Sequence, residues 1–237
     1  MVVKILSYNI HKGRALFSRQ KTWESIYELI HTVNADIIFL QEFIQNEDSD
    51  GFLDRLKNAN WPHKISGLNS KSLCGNQYGN IILSKFLFQK TNNSNISTNA
   101  FESKGLLYAQ VVPENNTPLH LFCTHLDLIA KGRYKQFSQL RSLITACTSA
   151  SENMLFAGDF KDWNCEIHDK FKSEMKLREV FEQLKGILVP TSPSILPVFS
   201  LDRIYYKGIK PVKAIRVFDK KFRFLSDHLP LVAEVHV

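Results

Sequence analysis

A chain of 237 residues can bury a substantial core, either as one large domain or as two small ones. Its 44% apolar and 22% charged residues describe an ordinary soluble globular protein, and no run approaches the roughly 18 apolar residues of a membrane span. The formal charge of +7 and the pI near 9.2 favour polyanions or anionic membrane surfaces as partners. Cys74, Cys123, Cys147 and Cys165 form no C-x-x-C pair and no Cys/His cluster, so a zinc site is excluded and buried free thiols are expected at Cys123 and Cys147. Met1 to Ser7 turns polar too soon for a signal peptide. The expected address is therefore cytoplasmic, with disulfide-bonded secretion the less favoured alternative.

Val2 to Asn9 is β-rich and ends in the polar residues Asn9, His11, Lys12 and Arg14. Thr22 is placed to cap a helix with Trp23, Ile26, Ile30 and Val33 on one face. Ala35 to Leu40 reads as a buried strand ending in Gln41-Glu42. An acidic loop, Glu47–Asp50, precedes a short helix at Phe52, Leu53 and Leu56. After a polar loop from Asn69 to Gln77, Tyr78 to Ser84 is a strand with Phe86 to Gln89 as hairpin partner. Asn92 to Asn99, rich in Asn, Ser and Thr, reads as a loop. Gly105 to Val112 and Leu119 to Thr124 are strands joined by a turn at Pro113–Pro118, and the second leads into His125-Leu126-Asp127. Lys131 to Ala150 predicts an amphipathic helix with Phe137, Leu140, Ile144 and Cys147 inward.

Met154-Leu-Phe-Ala157 is the central strand. Gly158 is expected to let the backbone turn sharply, leaving Asp159 at the strand's carboxyl end, where open α/β sheets put their chemistry. Asp127 and Asp162 read as local turn or helix-cap residues. Val180 to Leu188 is mixed helical or irregular, and Pro190 to Pro197 a rigid surface loop. Leu201 to Tyr206 and Val212 to Phe218 are strands, followed by the basic stretch Lys220–Arg223. Ser226-Asp227-His228 then precedes a last strand, Leu231 to Val237. With no repeat and no boundary, residues 1–237 are expected to form a single domain and a monomer.

The polar strand ends collect Asn9, Glu42, Tyr78, Asn80, His125, Asp159, Asp202, Asp227 and His228. Carboxylates converging on one face repel, and the usual relief is a divalent cation or a raised pKa. Carboxylate and amide oxygens without thiolates suit Mg2+ or Mn2+ better than zinc. A metal beside a carboxylate base and a histidine is the equipment of phosphoester hydrolysis.

Tyr8-Asn9, Gln41-Glu42, Thr124-His125-Leu126, Gly158-Asp159-Phe160, Leu201-Asp202-Arg203-Ile204 and Ser226-Asp227-His228 run in the order typical of the endonuclease/exonuclease/phosphatase superfamily. The chain resembles that superfamily from residue 3 to 237, and Asn9-Ile-His-Lys-Gly13 resembles a poorly characterised bacterial branch. The resemblance implies an α/β fold of the deoxyribonuclease I type, a four-layer sandwich of two mostly antiparallel sheets with helices outside. It implies Glu42 as principal Mg2+ or Mn2+ ligand, with Asn9 and Asp227 in or near the metal shell. Asp159 would orient or deprotonate water, His228 would contact the scissile phosphate, and Asp202 would fix its tautomer. His125 is the implied general acid, and Tyr78 lies near the rim. Lys161 departs from the family pattern, which has Asn there, and it either donates as a cation or points elsewhere. The implied activity is phosphoester hydrolysis, diesters ahead of monoesters, on nucleic acid or on phospholipid or phosphoinositide headgroups. Lys161 also supports an alternative reading, a catalytically weak member that binds a phosphorylated ligand or a partner.

Overall fold

Strand β1 (Val2–Asn9) is buried on both faces, Val3 and Ile5 entering one apolar cluster while Leu6 and Tyr8 enter another. Such a strand needs a packed layer on each side. The computed structural model, which describes residues 1–72, 74–99, 103–113, 117–149 and 152–237, supplies them. After a 3-10 turn at His11–Gly13 come α1 (Trp23–Val33), β2 (Ile37–Ile44), α2 (Glu47–Ala59), β3 (His63–Lys71), β4 (Gln77–Ser84) and β5 (Phe88–Asn95). Next are β6 (Gly105–Val111), β7 (Leu119–His125), α3 (Ala130–Cys147), β8 (Asn153–Asp159) and α4 (Glu166–Met175). The chain ends with β9 (Arg178–Glu179), α5 (Val180–Lys185), β10 (Asp202–Lys207), β11 (Lys210–Arg216) and β12 (Leu231–His236).

Two six-stranded sheets result, ordered β11-β12-β1-β2-β4-β3 and β5-β6-β7-β8-β10-β9. Each holds one parallel pair, β1 with β2 and β7 with β8, among antiparallel neighbours. Alternate residues of the two sheets, among them Ile5, Phe39, Leu121, Leu155 and Ile204, meet in a core between them. The opposite face of the first sheet packs on Trp23, Ile26, Phe52 and Leu56 from α1 and α2. Phe137, Leu140 and Ile144 of α3 and Phe171 of α4 cover the second. The result is the expected α/β sandwich of four layers. No helix among the described residues is long and apolar enough to cross a membrane.

Several segments differ from the sequence reading. The acidic residues 47–50 are the first turn of α2, where negative charge complements the helix dipole and Asn46 and Ser49 form a reciprocal capping box. The Asn-rich run continues as β5, an exposed edge strand whose polar residues face water. Strand β3 and helix α4 carry weak apolar patterns and went unpredicted. Thr22 precedes α1 without capping it, and its hydroxyl donates instead to the Leu225 carbonyl. The turn expected at Pro113–Pro118 falls partly on residues 114–116, outside the described residues, and the helix expected over 131–150 stops at Cys147, with residue 150 outside them.

Gly158 does not turn the chain. It lies within β8, paired with Thr124 and Arg203, and a methyl group there would run into the Thr124 carbonyl oxygen of the parallel neighbour. Gly158→Ala is therefore expected to cost roughly 2 kcal/mol by overpacking, lowering the thermal midpoint by about 4–8 °C. Thermal unfolding followed by circular dichroism checks it.

Candidate active site

The parallel pairs bring their carboxyl ends to one edge of the sandwich. Asn9 lies opposite Gln41, and His125 opposite Asp159. Asp202 lies opposite Asp159 on the other side of β8. His228 arrives on the loop before β12, which Ser226 ties to β1 by donating its hydroxyl to the Asn9 carbonyl at 2.7 Å.

Glu42 reaches this edge through a bulge. Register shifts between Leu40 and Phe43 against β4, and Glu42 takes a positive φ of 55°. Gln41 points into the core and Phe43 onto the helices, so regular alternation would have sent Glu42 outward with Phe43's layer. His11, Lys12 and Lys161 also have positive φ at this edge. Such strained backbone is tolerated where the surroundings over-determine it, and it gathers at functional sites.

Asp159 is the centre. It is fully buried, and its Oδ2 accepts from Asn9 Nδ2 at 2.9 Å and from Lys161 Nζ at 2.8 Å. The Nε2 atoms of His125 and His228 both lie 3.6 Å from the same oxygen. Oδ1 accepts the Lys161 backbone N–H at 3.1 Å, the tight turn that folds the lysine back onto the carboxylate. Burial pushes the Asp159 carboxyl up, but Lys161, then His228 and His125, outweigh it and hold the group well below the usual carboxylate range. Lys161 Nζ also lies 3.5 Å from His228 Nε2. The lysine therefore points into the site.

His228 Nδ1 is 2.6 Å from Asp202 Oδ2, a contact that fixes the ring with Nε2 toward Asp159. Burial lowers the His228 pKa, yet Asp202 and Asp159 raise it to about 9. Burial, then Lys104, keep His125 well below the ordinary histidine range, so it is held neutral. Tyr78, Asn80, Lys104, Glu42 and His125 line one small cavity beside the carboxylates, and Lys12 Nζ lies 4.5 Å over the Tyr78 ring. Lys104 went unnoticed in the sequence because it reaches His125 only through the pairing of β6 with β7, which sets Leu106 opposite Thr124. Asp127 and Asp162 lie behind the site. Asp127 anchors its loop through Thr98 and Ile129, while Asp162 accepts from Arg203 and caps the start of α4.

Asp159, Asp202 and His228 come within mutual ligating reach, but their charges are already matched by Lys161 and by one another. Among the described residues Glu42 has its nearest imidazole 4.0 Å away, and Asp227 lies 3.8 Å from His228, whose charge Asp202 and Asp159 already share. A buried oxygen without a partner, Asn80 Oδ1, lines the cavity with Glu42. Hard oxygen donors of this kind fit Mg2+ or Mn2+. Asn9, expected in or near the metal shell, donates its amide nitrogen to Glu42 and Asp159 while its oxygen accepts the His11 backbone N–H.

The raised His228 pKa has a signed consequence. The group contributes stability that is fully present below about 6.5 and is lost as pH rises through about 9. Urea unfolding is expected to show a decline of about 3 kcal/mol across that window. Asp202→Asn should flatten it, since the largest favourable partner of the imidazolium is gone.

The model of the Endonuclease/Exonuclease/phosphatase family matches residues 6–228. The uncharacterised protein YbhP of Escherichia coli strain K12 is 31% identical over 245 residues, covering 99% of this chain and 96% of YbhP. The human Nocturnin catalytic domain, solved with a bound sulfate anion, superposes with a TM-score of 0.83 at 18% identity, over 99% of this chain and 94% of that one. TDP2 of D. rerio, in complex with single-strand DNA product, gives 0.77 at 18% identity over 100% and 99%. At those identities the two structures share the fold. The match across the motifs, together with the YbhP relationship, makes the chain a member of the endonuclease/exonuclease/phosphatase family.

Proposed function

We propose that the chain is a divalent-cation-dependent phosphoesterase, acting on phosphodiesters ahead of monoesters. The observation that carries this reading is Asp159, a carboxylate sealed from water yet kept ionised by Lys161 at 2.8 Å, with two imidazole Nε2 atoms 3.6 Å away. That is an anionic acceptor ringed by donors at a polar edge. A phosphoester hydrolase needs this balance of water-orienting acceptor and phosphate-facing donors.

Asp159, with so low a proton affinity, orients the attacking water through its acceptor oxygens rather than storing its proton. His228, charged and aligned by Asp202, and Lys161 offer N–H donors to the non-bridging phosphate oxygens, where charge grows in the transition state. Neutral His125 presents an imidazole but little stored proton, so the proton for the leaving oxygen is assigned to His228 or Lys161. Tyr78 forms part of the wall that flanks the ester. Glu42 and Asp227 would hold Mg2+ or Mn2+, which when bound supplies Lewis-acid polarisation of a phosphoryl oxygen. Asn9 links Glu42 to Asp159 and so couples the cation's ligand to the water-orienting carboxylate.

Hydrolysis of bis(p-nitrophenyl) phosphate is the direct test. Wild type should need Mg2+ or Mn2+, and Asp159→Asn should lose about 10²–10⁴ in rate. A wild type inactive with every divalent cation, on this ester and on DNA, RNA and phospholipid, would defeat the proposal. Lys161→Met should lower kcat/KM about 100-fold, the scale of one lost phosphate-facing donor. The Lys161–Asp159 ion pair also favours a second reading, in which the lysine silences Asp159 and the chain binds a phosphorylated ligand. A rate gained by Lys161→Asn would favour that reading, whereas a rate lost would favour the first.

A further inference from the structure

The loops around the catalytic edge end in exposed apolar side chains. Leu128 and Ile129, just past His125, are 63% and 65% exposed, and Leu196 and Val198 are 71% and 58% exposed. The loop carrying Leu196 is bound to the site itself, Ser194 donating to the carbonyls of Ser226 and Asp227. Trp163, two residues past Lys161, packs edge-on against Phe199 of that loop with centroids 4.9 Å apart. Phe17 and Phe224 continue the rim on the other side, where Leu16 donates to the Phe224 carbonyl. Apolar side chains thus border the polar slot on several sides. Exposed apolar side chains gathered around a polar slot mark an interaction surface.

Charge indicates what covers it. Residues 187–200 contain no Asp, Glu, Lys or Arg, fourteen residues in a chain with net charge +7. The flanking loops carry exposed Arg14, Arg19 and Lys220, and the first turn of α3 carries exposed Lys131, none of which is ion-paired among the described residues. Apolar tips beside unneutralised cations match the interface of an anionic bilayer, where apolar groups enter the acyl boundary and cations meet phosphate. Single-stranded nucleic acid would want aromatic faces on which to stack. Leu196, Ile129, Leu128 and Val198 are aliphatic, Trp163 and Phe199 are packed against each other, and Phe17, at 70% exposure, is an aromatic tip of the kind that also enters an acyl boundary.

We propose that this rim docks on an anionic phospholipid surface and presents a lipid headgroup phosphodiester to the site. The substrate assignment rests on the phosphoesterase reading; the docking surface does not. The test uses the full chain carrying Asp159→Asn, sedimented with vesicles of phosphatidylcholine or of phosphatidylcholine with phosphatidylglycerol. Partition onto the anionic vesicles should exceed that onto neutral ones at least ten-fold and should weaken with salt. Leu196→Asp with Val198→Asp, and separately Leu128→Asp with Ile129→Asp, should each cut it ten-fold or more. In an otherwise wild-type chain, the same changes should leave the thermal midpoint and the rate on bis(p-nitrophenyl) phosphate within two-fold or a few degrees of wild type. Absence of anionic-vesicle binding, or binding indifferent to both pairs, overturns the proposal. So does loss, in those variants, of oligonucleotide retention or of self-association in place of vesicle binding. Vesicle binding with the expected losses, but no hydrolysis of any ester, would retain the docking surface and remove the phosphoesterase reading.

Discussion

A carboxylate without exposure to water stays ionised only if a cation stands beside it, and the site depends on that condition at Asp159. Taking the charge out of water costs several kcal/mol, and the ammonium of Lys161 at 2.8 Å offsets it. The amide of Asn9 and two imidazoles complete the surroundings. The arrangement keeps an acceptor charged in a place where a water or a phosphate oxygen can be held without competition from bulk solvent. It also makes Asp159 a weak base, which in the proposed reaction would favour fixing a water molecule in position over taking its proton.

The sandwich exists around that edge. Two parallel pairs, one in each sheet, send their carboxyl ends the same way, and the antiparallel strands beside them fill out the layers. Parallel strands must be covered on both faces, which is why helices lie outside both sheets and why the site opens at an end rather than on a face. Local departures from regular geometry then aim the chemistry. The bulge at Glu42 turns a side chain out of the helix-facing layer, and the tight turn after Asp159 folds Lys161 back. Asp202, one strand further on, aligns His228 through a 2.6 Å contact.

Electrostatic balance separates this chain from the simplest picture of its family's motifs. Converging carboxylates would demand metal for neutrality if no cation came from the protein. Lys161 and the charged His228 supply part of it, and Glu42 and Asp227 remain as the oxygen donors, 4.0 Å from His125 and 3.8 Å from His228. Around the slot, uncharged loops and unpaired surface cations combine into a border suited to an anionic lipid interface, which gives the basic composition a location.

Sequence alone determined the layers and the list of polar residues. Continuous apolar runs in β1, β2, β7 and β8 and helical spacing in α1 and α3 are local consequences of burial, and the ordered motifs named Asn9, Glu42, His125, Asp159, Asp202, Asp227 and His228. Its failures have a common origin. Strand β5 is a polar edge, and the acidic start of α2 reads as loop until a cap and a dipole are counted, so neither shows the periodicity that burial imposes. Tertiary structure decided the direction of Lys161, the bulged conformation of Glu42, the donor role of Asn9 and the approach of Lys104 to His125. Each depends on contacts between residues far apart in the chain, or on a single backbone dihedral. Spacing along a sequence carries no information about either, because which charge ends beside which is set only when the strands pair, the turns form and the two sheets close on each other.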